Sequence, residues 1–115
     1  MILSEAVSEV KRLSRELEAD LEVLRGSAEK VAHTERDYRR GKSLAWLEHT
    51  TGTVAEKQAH VDAATVDLRF ERDLAEGLRR AALESVRSKS TQISMWQTLL
   101  NAHKSEADFA RTGPR

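Results

Sequence analysis

The only proline in this sequence is Pro114, so no position from 1 to 113 is barred from a helix by a locked φ or a missing amide donor. Of the five glycines, Gly52 alone falls in a cluster of helix breakers, His49-Thr50-Thr51-Gly52-Thr53. That cluster predicts a turn at about 49–53 between a first helix over about 3–48 and a second over about 54–110. Thr53-Val54-Ala55-Glu56 reads as a capping box: the Thr53 hydroxyl accepts the Glu56 amide hydrogen and the Glu56 carboxylate reaches back. Gly113-Pro114 marks the end of ordered chain, so residues 1–112 are expected to form one helical hairpin and 111–115 a disordered tail.

The first helix carries a seven-residue repeat. Leu3, Val10, Leu17, Leu24, Val31, Tyr38 and Ala45 recur at that interval, with Val7, Leu21 and Ala28 four residues on and Leu13 nearby. Along the second helix, Leu68, Ala75, Leu78, Ala82, Val86, Ile93, Trp96, Leu100 and Ala107 form a stripe whose period is nearer 3.6, which implies a gentler supercoil. Folding the chain about residue 51 sets Leu24 against Leu78, Leu17 against Val86 or Ser85, and Val10 against Ile93. Apolar meets apolar, so the expected fold is all-α: a long antiparallel two-helix hairpin resembling a coiled coil.

Composition agrees with a thin seam. Charged residues make up 33% of the 115, aromatics 4%, and much of the 39% apolar fraction is alanine. A single seam has no room for Leu13, Leu74, Met95, Trp96 and Phe109 together. These five are therefore candidate interface residues, to be covered by a second copy in a dimer or higher helical bundle, or by a partner protein. For Trp96 the competing role is packing against Leu3 and Val7.

Several functions are argued against. With no cysteine there is no disulfide, thiolate or Cys-based zinc chemistry. The longest apolar run, Leu44-Ala45-Trp46-Leu47, is far short of the roughly 20 residues of a membrane span. Glu5 and Glu9 interrupt any signal-peptide core, so the expected location is the cytoplasm. No phosphate-binding glycine loop, nucleophile elbow or metalloprotease motif occurs. The histidines pair with acids at helical spacing only singly: His33 with Asp37, Glu56 with His60, His103 with Glu106. The chain is expected to be no enzyme and to use no cofactor or metal.

Two basic clusters are candidate nucleic-acid contacts. In Arg36-Asp37-Tyr38-Arg39-Arg40-Gly41-Lys42, four cations stand against one acid with a tyrosine among them. Arg87 and Lys89 join Arg79 and Arg80 in the second cluster, where the fold-back also brings Arg12 and Arg15. The competing reading is structural. Glu16, Glu18, Asp20 and Glu22 lie across from Arg79 and Arg80 as solvated pairs, and Tyr38 sits on the seam. The net formal charge of zero does not mark a nucleic-acid binder.

Gly52-Thr53-Val54-Ala55-Glu56-Lys57, Arg79 through Val86, and Ile93-Ser94-Met95-Trp96-Gln97-Thr98-Leu99-Leu100 with Lys104 and Glu106 resemble a group of small helical proteins of tailed phages. Those of actinobacteriophages are the most similar, with a "G-x-V-A-E-x" turn, and the likeness spans roughly residues 30–110. Members lie near recombination and replication genes. The resemblance implies a non-enzymatic accessory role in phage DNA metabolism within the host cytoplasm, through contact with phage or host proteins. It supplies no catalytic residue. The Trp-x-Gly turn of small secreted helical hairpins is missing, because Leu47-Glu48 follows Trp46. Direct nucleic-acid binding through Arg36–Lys42 and a structural coiled-coil spacer are the alternatives.

Overall fold

The computed structural model describes residues 2–112, with side chains from Leu3 onward. Three helices follow in order: α1 (Ile2–Glu48), α2 (Val54–Ala64) and α3 (Val66–Thr112). The described chain is 95% helical, with no strand among the described residues. None of these helices is long and apolar enough to cross a membrane. Gly113 and Pro114, expected to end the ordered chain, lie outside the described residues; helix continues through Arg111 and Thr112.

The turn forms where the breakers stand. Gly52 takes φ +94°, a left-handed conformation that costs glycine little. Thr53 caps α2, its Oγ1 accepting the Glu56 amide at 3.1 Å, while the Glu56 carboxylate lies over Gly52. The arm expected as one helix over 54–110 is two helices, broken at Thr65. The Thr65 hydroxyl donates to Val61 O at 2.7 Å, beside the Thr65 amide at 3.1 Å on the same carbonyl. Thr65 itself stands at φ −113° and ψ 11°, outside helical geometry.

The chain divides into two compact units: Met1–Glu22 with Ala82–Arg115, here the terminal unit, and Val23–Ala81, the turn unit. Each contains antiparallel helical segments. In the terminal unit, Asp20 of α1 meets Ser85 and Lys89 of α3. In the turn unit, Glu35 approaches Arg72, and Leu24 and Ser27 meet Arg79.

Those contacts correct the expected register. Leu24 faces Arg79, and Leu78 stands 60% exposed. They also correct the seam. Along α1 a buried and half-buried series runs Ala6, Val10, Leu13, Leu17, Asp20, Leu24, Ser27, Val31, Thr34, Tyr38, Gly41 and Ala45, in alternating steps of four and three, flanked by half-buried Glu9, Ser14, Glu16, Leu21 and Glu35. The Leu3–Ala45 series therefore holds heptad position a, and Leu17 and Leu24 are half-buried. Position d lies three residues after each a, at Ala6, Leu13, Asp20, Ser27, Thr34 and Gly41; of the expected set, Val7 and Ala28 are exposed and Leu21 is half-buried. Small and polar residues at d concealed it from an apolar pattern.

On α3 the buried series continues from Val61 and Thr65 through Leu68, Arg72, Ala75, Arg79, Ala82, Val86, Lys89, Ile93, Trp96 and Leu100, again in steps of three and four. The apparent drift toward 3.6 came from passing over Arg72, Arg79 and Lys89 and counting the exposed Leu78 and Ala107. The period is 3.5 on both helices. The resulting core is thin: its largest fully buried side chains are Leu13 and Val61, and Ala6, Ala45, Ala75 and Ala82 supply most of the rest. At Gly41 the Leu68 side chain packs onto the bare backbone of α1, where a Cβ would collide with Leu68 Cδ1.

Candidate functional site

Three seam cations account for part of the basic character seen in the sequence. Lys89, a candidate nucleic-acid residue, has a side chain only 21% exposed and donates to Asp20 at 2.6 Å, with Glu16 at 3.9 Å. The Lys89 ammonium and the Ser85 hydroxyl hold the Asp20 carboxyl below its ordinary range. Arg79 reaches Leu24 O at 3.4 Å and Ser27 Oγ at 3.5 Å. The Arg72 guanidinium lies 4.3 Å from the Tyr38 ring centroid and bonds Asp73, which raises its pKa further. These groups are occupied inside the fold and fix its register.

The other basic candidates lie outside. Arg36 and Arg39, with side chains 68% and 78% exposed, pair with Asp37 at 3.5 Å and Glu35 at 2.8 Å. Arg40 is exposed, and with Ala32, Glu35, Arg36, Arg39 and Ser43 it lines a shallow groove on α1. Lys42 Nζ sits 5.3 Å from the Tyr38 ring centroid, so Tyr38 is flanked by two cations on the seam. Arg87 is exposed and pairs with Glu84 at 3.1 Å. Arg36 through Lys42 belong to the turn unit, Arg87 and Lys89 to the terminal unit.

The proposed interface residues separate as well. Leu13 is a correction: it is 2% exposed, at position d of the terminal unit, where it is core. Trp96 is half-buried on the α3 seam beside Ser4, Glu5, Ser8 and Glu9. Leu74, Met95 and Phe109 are 45%, 57% and 62% exposed. Leu74 belongs to a row that pattern-reading for a single seam missed. Val66, Phe70, Leu74 and Leu78 follow at intervals of four along α3, all exposed. Such a row lies on one helical face, so a search for i, i+4 pairs off the seam would have found it.

The end of the turn unit carries a further apolar group. Trp46, Leu47 and Val61 line a shallow groove with Lys42, Ser43 and Gln58, and Lys57 Nζ stands 4.3 Å from the Trp46 ring centroid. Beside the turn, His49 and His60 stack with centroids 5.0 Å apart and planes at 24°. Both Nε2 atoms are buried without a hydrogen-bond partner in the described structure. His33 pairs with Glu29 at 3.5 Å rather than with Asp37. No three His, Cys, Asp or Glu residues cluster in metal-binding fashion among the described residues. Stacked rings direct their nitrogen lone pairs side by side, whereas a metal needs them to converge.

Taken as chemistry, the described surface offers apolar faces and charges of both signs. Comparison with protein families, curated proteins and solved structures finds no match for the chain.

Proposed function

We propose that this chain is a non-enzymatic interaction protein that assembles with itself and with a protein partner through the outer faces of its helices. The carrying observation is the exposed row Val66, Phe70, Leu74 and Leu78, set on the outside of a unit whose seam is made largely of small and polar residues. Large apolar side chains left in water forfeit about 1.5–3 kcal/mol each, a driving force for association. A helical bundle of two copies is the simplest closed arrangement that covers such faces.

Sedimentation equilibrium tests this reading, because it gives mass without regard to shape. A mass above the 12.9 kDa protomer at micromolar concentration is expected. Paired Phe70→Ser and Leu74→Ser changes should reduce partner or self association while leaving helix content intact. A wild-type chain that stays at protomer mass and binds nothing through this row overturns the reading.

The setting we favour is phage DNA recombination or replication in the host cytoplasm, on the strength of the resemblance carried by residues 30–110. Stoichiometric co-purification with recombination or replication proteins from infected cells supports it; association confined to virion proteins argues for a spacer in assembly. A second reading has its own observation: Arg36, Arg39 and Arg40 share one exposed groove on α1. If that face holds phosphates, DNA affinity should fall steeply with salt, and Arg40→Ala should flatten the slope by about one.

A further inference from the structure

The last turns of α1 change character along one face. Arg36, Arg40, Ser43 and Leu47 follow in steps of four, three and four, with Arg39, Lys42 and Trp46 beside them. Cations thus lead into large apolar side chains within about three turns of one helix. Ser43 lines both grooves described above, the basic one around Arg36, Arg39 and Arg40 and the apolar one around Trp46 and Leu47, so the two adjoin. Both belong to the turn unit.

The apolar half has a closed floor and an open side. Val61 of α2, 1% exposed, closes it from below, whereas Trp46 and Leu47 are 40% and 71% exposed. Its charge is one-sided. Arg36 and Arg39 already pair with Asp37 and Glu35. Arg40, Lys42 and Lys57 have no carboxylate partner among the described residues, and the two lysines lie over the Tyr38 and Trp46 rings instead. The neighbouring acids are placed elsewhere or engaged. Glu48 follows Trp46 by two residues and so stands on the other side of α1. The Glu56 carboxylate lies over Gly52, and Asp62 accepts the Gln58 side-chain amide hydrogen at 2.8 Å.

We infer that this groove binds an acidic segment of another protein. A leucine-sized side chain of that segment sits on Trp46, Leu47 and Val61, and its carboxylates meet Arg40, Lys42 and Lys57. The inference rests on the protein partner proposed above and gives that partner a chemistry and a surface distinct from the Val66 to Leu78 row. An apolar anchor in a walled groove supplies most of the affinity, while charges on the rim set orientation and speed encounter. A neutral or basic segment would leave three cations facing it unpaired. A nucleic acid would meet the cations but has no aliphatic side chain to seat on Leu47 and Val61. The Lys57 ammonium, 4.3 Å from the Trp46 centroid, also covers a ring face on which a base would stack.

Trp46 and Trp96 are the chain's two tryptophans, so in a W96F chain the emission of Trp46 reports the groove directly. The probe is a synthetic peptide with glutamates around a Leu-Ala-Ala-Leu core, titrated beside versions with Ser for Leu or Lys for Glu, and beside oligothymidylate. The Glu/Leu peptide should shift Trp46 emission to the blue with micromolar dissociation, and each other probe should bind about tenfold more weakly or less. Lys42→Glu with Lys57→Glu should reverse the preference, weakening the Glu/Leu peptide about tenfold and admitting the Lys/Leu one, a gain that misfolding does not produce. Equal binding of the Ser version overturns the apolar seat. Oligothymidylate that binds more tightly than the peptide, and is lost with the same two changes, assigns the groove to nucleic acid and overturns the inference. Loss of wild-type self-association on those changes makes a second copy the occupant and overturns it equally. No peptide binding by a chain that still associates through Phe70 and Leu74 overturns this groove and leaves the proposed function standing. Peptide binding by a chain that never associates through that row leaves the groove standing and removes the row.

Discussion

The two units solve the same packing problem with different residues. The terminal unit closes its seam with Val10, Leu13 and Leu17 from α1 and Val86, Ile93, Trp96 and Leu100 from α3, interrupted by one polar layer of Asp20, Ser85 and Lys89. The turn unit also buries Ala45, Val61 and Ala75, but it uses Ser27, Thr34 and Gly41 at its d positions, and Thr65, Arg72 and Arg79 at position a of its other arm. The first arrangement gains stability from buried apolar area. In the second, the Leu68 side chain packed on the bare Gly41 backbone and specific polar partners hold the register at some cost in hydrophobic gain. Further apolar side chains of this unit lie outside, on the row from Val66 to Leu78.

The sharpest test of that contrast is a matched truncation. Leu13→Ala, at a site 2% exposed, should lower unfolding free energy by about 2–4 kcal/mol, measured by chemical denaturation with circular dichroism. Leu24→Ala, half-buried in the turn unit, should cost about half as much. Equal losses would mean the two seams are energetically alike. Next in size is Gly41→Ala, which drives a methyl into Leu68 and should cost about 1–3 kcal/mol. The same change at Gly26 or Gly77, where nothing lies within 4 Å of the added carbon, should stabilise by about 0.5–1 kcal/mol. A stabilised Gly41→Ala protein would show that close approach is dispensable in the turn unit.

The smallest effect is electrostatic. Asp20 has its carboxyl lowered in the folded state, so its contribution is present above the ordinary carboxylate value and is lost as pH falls through the lowered one. From about pH 4 downward the wild type should lose stability more steeply than Asp20→Asn. Parallel curves would mean that the polar layer in the terminal unit sets register alone.

Much of the architecture was legible in the amino acids because helices announce themselves by period. The a-position series from Leu3 to Ala45, the breakers at 49–53 and the Thr53 cap all have local causes. Position d was not legible, since Ala6, Asp20, Ser27, Thr34 and Gly41 share no hydrophobicity. Their common property is size or a particular partner, which exists only once the other helix is in place. Arg72, Arg79 and Lys89 look like surface cations for the same reason. The Thr65 break carried no signal in the sequence, since Thr34, Thr91 and Thr98 make the same hydroxyl-to-carbonyl bond inside unbroken helix. Among candidate surface residues, Leu74, Met95 and Phe109 were recognised as surplus to one seam and do lie outside. Leu13 was misjudged because its heptad phase was assigned one residue away.

A core whose only large, fully enclosed side chains among the described residues are Leu13 and Val61 has a consequence for inheritance. Most positions tolerate exchange, since few replacements disturb packing, and alanine or serine at a d site can trade places with little penalty. Descendants of such a chain can lose letter-by-letter likeness while keeping the four-and-three cadence of small and apolar residues, the glycine turn and the threonine cap. Kinship in proteins of this build is therefore better traced by rhythm than by spelling.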